Sequence, residues 1–323
     1  MFDVVALGEL LIDFTPWGTS QNRNLKYEMN PGGAPANVLA VVSKLGGKTA
    51  FIGQVGNDQF GLFLRETLAG MGVNVEGLLL SEEYSTTLAF VHLDKNGDRS
   101  FSFYRSNGAD IMLQAQDVRF DLIKQSSILH VGSVSMTHEP SRTATLEAVK
   151  AAKTNNVLVS FDPNLRPALW ASLDEAKKVI EGMLQYADIL KLSQEELYFL
   201  TGTDEIADAS AVIARKYGIE LILITMGASG SFYRLRDEIG QLPAYNVETI
   251  DTTGAGDAFL GAVLHKILSS GKSLKNISAK DVEAFVDFAN AAGSLVTTKR
   301  GAIPAIPTLC EINRCMATVN KLA

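Results

Sequence analysis

The sequence predicts an α/β fold, a mostly parallel central sheet flanked by helices, with a small β-sheet lid beside it. Three observations carry this. Short, almost uninterrupted apolar runs alternate with stretches of helical periodicity, as strands covered on both faces do. Each run is bounded by Gly, Asp, Asn or Ser, residues that end elements. One segment, Thr86–Arg105, instead alternates around Asn96–Gly97, a strong hairpin signal.

Val4–Leu7 is the first buried run. Glu9–Phe14 and Leu25–Met29 are assigned to the lid sheet. Pro35 begins an apolar stripe through Val38, Leu39, Val42 and Leu45, stopped by Gly46–Gly47, with Pro and Gly in their usual places at a helix start and end. Thr49–Ile52 is the next buried run, after which Asp58 is placed to cap a helix with Leu62, Leu68 and Met71 on its face, ended by Gly70 or Gly72. With a two-residue hairpin turn, Leu88, Phe90, Phe101, Phe103 and Arg105 share one face, and Ala89, Val91 and Tyr104 the other. A hairpin apolar on both sides cannot be left bare in water. It is read as a lid over a ligand, its back packed against the lid of a second copy in a homodimer. Ile128–Val131, Val157–Phe161, Asp188–Leu192 and Leu221–Ile224 complete the buried runs, and Tyr245, Val247 and Thr249 alternate like a strand before a last helical region. Residues 1–323 read as one α/β domain, with lid segments at about 9–30 and 86–106 inserted in it.

With 323 residues, 46% hydrophobic and 20% charged, the chain can fill a large core and is not disordered. Its 29 Lys and Arg are outnumbered by 36 Asp and Glu, for a formal charge of −7, and no basic run exceeds a pair of residues. Nucleic-acid and membrane-surface binding are therefore disfavoured. Cys310 and Cys315 are too few for a disulfide scaffold and read as reduced thiols on a terminal helix. Asp3 and Glu9 stand where a signal peptide needs basic and then apolar residues. No apolar run nears the ~20 residues of a membrane span, so a cytoplasmic protein is expected.

The segment most informative about chemistry is Asp251-Thr-Thr-Gly-Ala-Gly-Asp257. Gly254, Ala255 and Gly256 lie where a helix begins, with free N–H groups and the positive end of the dipole, and small residues there let a phosphate approach. An acid at such a place would repel the phosphate unless it had a task, such as taking a proton from an attacking hydroxyl. Otherwise Asp257 complements the dipole and the glycines make a tight turn. A Walker loop is excluded because Val42 and Lys266 stand where its first Gly is needed, and Phe259 interrupts the dinucleotide fingerprint.

A second cluster, Asn30-Pro-Gly-Gly-Ala-Pro-Ala-Asn37, puts Gly32, Gly33 and Asn37 at another helix start, where neutral donors and acceptors suit a polyol or simply cap the helix. Asp13 follows Leu10–Ile12 and can accept from two neighbouring hydroxyls, or sit solvated at a strand end. Asp162, Asn164 and Arg166 follow one buried run, Lys191, Ser193 and Glu196 end another, and Thr225, Gly227 and Gly230 end the next. Open α/β sheets place ligands at such strand ends, and one continuous site explains all three.

The Asp251–Asp257 and Gly32–Asn37 segments together resemble the paired signatures of the ribokinase-type (PfkB) carbohydrate kinase family, over essentially the whole chain. Thr86–Val91, Asn96–Arg105 and Phe161–Arg166 most resemble fructokinases within it. The resemblance implies a ribokinase-like fold and ATP-dependent phosphorylation of a sugar's primary hydroxyl, D-fructose giving fructose 6-phosphate. It implies Asp257 as catalytic base and the Gly254, Ala255 and Gly256 amides as anion hole. Asp13, Gly32, Gly33, Asn37, Phe103 and Arg105 match the sugar site, with Arg166 near the acceptor or transferred phosphate. Lys191, Ser193, Glu196, Thr225, Gly227, Gly230 and Asn290 fall on the nucleotide side. Asp251, Thr253 and Gly301 match a monovalent-cation (K⁺) site. Glu196 matches an acid associated with Mg²⁺ through water, the ion held chiefly by ATP; Ser193 replaces that element's Asn. The alternative sugar is 2-keto-3-deoxygluconate, whose carboxylate Tyr104 and Arg105 would hold. Outside the kinases, a non-catalytic sugar or nucleotide sensor would lack the base, and a nicotinamide oxidoreductase would need the missing fingerprint.

Overall fold

Within Phe2–Leu7 (β1), Val4 and Ala6 enter one apolar core while Val5 and Leu7 enter another, and all four are fully buried. A strand alternates its side chains between two faces, so β1 must be sandwiched, and the rest of the sheet follows this pattern. The computed structural model describes residues 1–93 and 99–322. The other strands are Leu11–Thr19 (β2), Leu25–Gly32 (β3), Thr49–Gly56 (β4), Val73–Ser81 (β5), Leu88–Leu93 (β6), Arg99–Tyr104 (β7), Ser126–Gly132 (β8), Leu158–Asp162 (β9), Ile189–Ser193 (β10), Leu221–Thr225 (β11), Ser231–Leu235 (β12) and Glu238–Leu242 (β13).

A nine-stranded sheet runs β13-β12-β11-β10-β9-β8-β1-β4-β5. It is parallel from β11 to β5, and β12 and β13 close one edge antiparallel. Every apolar run read from the sequence as buried lies in its parallel part. The chain leaves β1 toward β4 and β5 on one side and returns to build β8 to β11 on the other. That reversal opens a crevice beyond the carboxyl ends of β1 and β8. On one face pack the Ala34–Lys44, Ala255–Ser269 and Ala279–Val296 helices; on the other pack Ser141–Thr154, Leu173–Leu184 and Ile206–Tyr217. Asp58 caps the Gln59–Gly70 helix, accepting from the Gly61 N–H at 2.8 Å. Cys310 and Cys315 are free, on the Leu309–Thr318 helix. Among the described residues no helix is long and apolar enough to cross a membrane.

The second sheet, β3-β2-β6-β7, carries the lid segments. The Asn96–Gly97 turn lies outside the described residues, but the register of the strands it joins is plain and corrects the expectation. Leu88 pairs with Tyr104 and Ala89 with Phe103, one residue away from a two-residue turn. A slip of one residue turns every side chain on one strand to the other face. Phe103 therefore shares its face with buried Ala89 and Val91, while Tyr104 joins Leu88 and Phe90 on the outside and is 67% exposed. There Phe90 stacks on Phe14 at 4.8 Å and meets Tyr27 and Tyr104 edge-on at 5.5 Å. A second correction concerns Tyr245–Thr249, which forms no strand. Tyr245 makes a single bridge to Lys321, and its N–H and hydroxyl bond Ser294 and Asp287 instead of a neighbouring strand.

Candidate active site

The Ala255–Ser269 helix starts at Gly254, whose φ of 77° is the left-handed conformation that a side chain would resist. Close helix packing then sets the site. Gly261 lies against Val41 and the Val38 carbonyl of the Ala34–Lys44 helix, where a Cβ would come within 2.9 Å of that oxygen. The approach lets Asn37 Nδ2 donate to Asp257 Oδ2 at 2.8 Å, across 220 residues of sequence. Both side chains are buried. Burial pushes the Asp257 carboxyl above its ordinary value, against the Asn37 hydrogen bond and the Lys191 and Arg166 charges, which pull it down.

Two cavities meet at this helix start. One, about 300 Å³, is lined by Glu9, Asp13, Gly33, Ala34, Asn37, Phe103, Asn164, Arg166, Lys191, Gly254, Gly256 and Asp257, among others. The other, about 360 Å³, is lined by Thr225, Gly227, Gly230, Ala255, Gly256, Asn290 and small residues of the neighbouring helices. Thr252 and Gly256 border both. The first is a polar chamber to which the four-stranded sheet contributes Phe103; the second is a more apolar trough. Gly256 faces the Lys191 ammonium, which a Cβ would meet at 3.1 Å. Lys191 is buried and pairs with Asp162 at 2.9 Å. Burial would pull its pKa down, but the Asp162, Glu196 and Asp257 charges outweigh that and hold it above the ordinary value. The Ala255 N–H donates to the Thr252 carbonyl at 3.2 Å, so of the three residues read as the anion hole this one already has a partner.

Asp13 is on the chamber wall, and burial raises its pKa to about 7. The sign is that of a buried acid. The neutral form's advantage is present below 3.8 and is lost as pH rises through about 7. Asp13→Asn should therefore raise the melting temperature above pH 7, the gain shrinking as pH falls toward 3.8; thermal melts across that range would show it. Gly32 sits behind Asp13, where a Cβ would collide with its carboxylate.

Several expected residues are engaged by other parts of the protein. Arg105 does not line the chamber. Its guanidinium holds Asp110 at 2.6 Å and donates to Thr137 Oγ1 at 2.8 Å and the Val134 carbonyl at 3.0 Å. Asp110, 3% exposed, needs that countercharge, so the guanidinium expected at the sugar is held by protein partners in this structure. Glu196 accepts from the Leu165 and Ser193 N–H groups, each at 2.7 Å, and completes the Ser193 capping box. Each of its oxygens thus already accepts one backbone N–H. Asn290 donates to the Leu242 and Pro243 carbonyls and accepts from Ser231, so it shapes the trough wall. The Asp251 carboxylate accepts from Thr253 N at 2.8 Å and Gly301 N at 3.1 Å. It thereby gathers the three residues assigned to a monovalent cation beside the helix start.

Glu9 is a chamber residue that the sequence reading missed. The available signal was an acid two positions beyond β1, at a carboxyl end of the sheet.

Residues 1–309 match the family model described as pfkB family carbohydrate kinase. The chain is 45% identical over 311 residues to Fructokinase-1 of Zea mays, covering 96% of each protein. Among solved structures, it resembles a fructokinase with bound ATP from Xylella fastidiosa, with a TM-score of 0.89, 33% identity and coverage of 98% of this chain and 99% of that one. It also resembles the Vibrio cholerae O395 fructokinase in its fructose, ADP and calcium ion bound form, with a TM-score of 0.88, 34% identity and coverage of 98% and 99%. The architecture is ribokinase-like.

Proposed function

This chain belongs to the pfkB family of carbohydrate kinases, and we propose from that premise that it transfers the terminal phosphoryl group of ATP to the 6-hydroxyl of D-fructose. The observation that carries the reading is the Asp257 carboxylate. It is buried, oriented by Asn37, and set in the first turn of a helix that opens on both cavities. The sugar would occupy the chamber, with Asp13, Gly33, Asn37 and Phe103 around it, and the nucleotide the trough between Thr225, Gly227, Gly230 and Asn290. As the hydroxyl oxygen bonds to phosphorus, its proton passes to Asp257 and the bond to the departing ADP oxygen breaks. Such a reaction needs alignment and charge stabilisation above all. The Gly254–Gly256 turn, Lys191 and Arg166 would supply the positive field. The lid would exclude water, preventing wasteful ATP hydrolysis. Mg²⁺, if carried on the triphosphate, would meet Glu196 only through water, and K⁺ in the Asp251, Thr253 and Gly301 loop would steady the helix start.

Two placements favour a neutral sugar over 2-keto-3-deoxygluconate. Tyr104 faces away from the chamber, and Arg105 is committed to Asp110, so the lid side chains that would hold a carboxylate are turned elsewhere. A coupled assay of ADP release with both sugars tests the choice. Fructose should be turned over at least ~10-fold more efficiently, the scale of one well-placed polar contact. The reverse ranking would overturn the fructokinase reading. The outer lid face, with Trp17, Leu25 and Tyr104 more than half exposed, supports a homodimer in which two lids pack together.

A further inference from the structure

We propose that Glu9 is a further sugar-recognition residue, whose Oε2 binds a hydroxyl at the end of the sugar remote from the one that is phosphorylated. The inference rests on the reading of the chamber as the sugar site. Glu9 is 4% exposed and lines that chamber. One oxygen, Oε1, accepts from the Ala34 N–H at 3.0 Å, at the first turn of the Ala34–Lys44 helix. The other, itself buried, has no hydrogen-bonding partner among the described residues. A buried carboxylate oxygen left unmatched is costly, and Glu9 lines the chamber, so a side-chain shift on sugar entry would give that oxygen a partner that arrives with the substrate.

The geometry also says which end of the sugar it meets. Ala34 and Asn37 lie on one helix, three residues and so about 4.5 Å apart along its axis. Asn37 holds Asp257, where the reacting hydroxyl must lie. The Ala34 N–H that holds Glu9 therefore lies nearly one helical turn from the residue that holds Asp257, within the span of a hexose. Burial raises the Glu9 pKa to about 7, with the Ala34 bond and Arg105 pulling it down. A carboxyl poised there can accept from a hydroxyl when ionised and donate to one when neutral, which suits a group that is itself both donor and acceptor. The pairing would favour sugars bearing that hydroxyl and reject those without it, since the unmatched oxygen would then stay buried.

The test is a cycle between side chain and substrate. kcat/KM is measured for the wild-type enzyme and for Glu9→Gln with fructose and with its analogues lacking the hydroxyl at carbon one, two or three. Glu9→Gln keeps an oxygen for Ala34, so the helix start stays capped. We expect wild type to lose ~10–100-fold on one analogue, the range for a hydrogen bond to a charged group, and the variant to lose under ~3-fold on that same analogue. Glu9→Asp, which withdraws the charge by one methylene, should show the same collapse. Penalties that simply multiply for all three analogues in both variants would overturn the proposal and leave Glu9 a helix cap. If wild type fails to phosphorylate fructose, the fructose assignment falls; the cycle is then run on the sugar it does phosphorylate and on that sugar's deoxy analogues, and decides Glu9 independently.

Discussion

Asp257→Asn is expected to lower kcat by ~10²–10⁴-fold, the usual contribution of a general base, with nucleotide affinity and folding near those of the wild-type protein. The substitution is nearly isosteric, and a carboxamide oxygen can still accept from Asn37 Nδ2 in place of the 2.8 Å bond to Asp257 Oδ2. What is lost is the ability to take a proton. Because burial raises the Asp257 pKa, the carboxylate is a stronger base than an ordinary aspartate, and the wild-type rate should rise with pH as it ionises. That limb should vanish in the variant. Steady-state rates across pH, with a nucleotide titration as control, give the comparison, and near-normal turnover in Asp257→Asn would dismiss the base assignment.

The second large effect is at Lys191. Lys191→Met removes the partner of Asp162, whose side chain is 2% exposed, and leaves a buried charge uncompensated. Breaking such a pair costs about 3–5 kcal/mol, which denaturant unfolding would register. Adding Asp162→Asn removes the stranded charge and should restore most of that stability. Turnover should remain ~10²–10³-fold down in the double variant, the scale of one lost oxyanion-stabilising group. The reason is position. The ammonium lies behind Gly256 at the junction of the two cavities, where negative charge builds as phosphoryl moves. Recovery of both stability and turnover in the double variant would make the pair purely structural.

How much was legible beforehand follows from which interactions are local. The apolar runs within β1, β4, β8, β9, β10 and β11 could be read because a parallel strand buried on both faces carries few polar residues. β5 and β13 escaped notice because they are the sheet's edges and carry Gly, Glu or Gln where one side meets solvent, and β12, though buried, because Ser231 and Arg234 interrupt its apolar run. The lid was recognisable as a hairpin but its faces were not. Alternation has the same period in either register, so Phe103 and Tyr104 could exchange places until the strands were paired. The partners of Arg105 stayed hidden for a different reason. A guanidinium looks available in sequence, and although Asp110 is only five residues on, nothing local reveals that it, with Thr137 and Val134 from a more distant segment, holds the side chain.

Composition, periodicity and turn chemistry were by themselves enough to determine an α/β protein, a helix start built from Gly254 to Asp257, and polar loops at successive strand ends, since each depends on residues within a few positions of one another. Only the tertiary structure decided that Asn37 would orient Asp257, that Lys191 would lie against the Gly254–Gly256 turn, and that Glu9, on the chamber wall, would keep one oxygen unmatched. Those relations depend on how closely two helices approach and on which groups burial leaves without water, and both are set by packing between segments far apart in the chain.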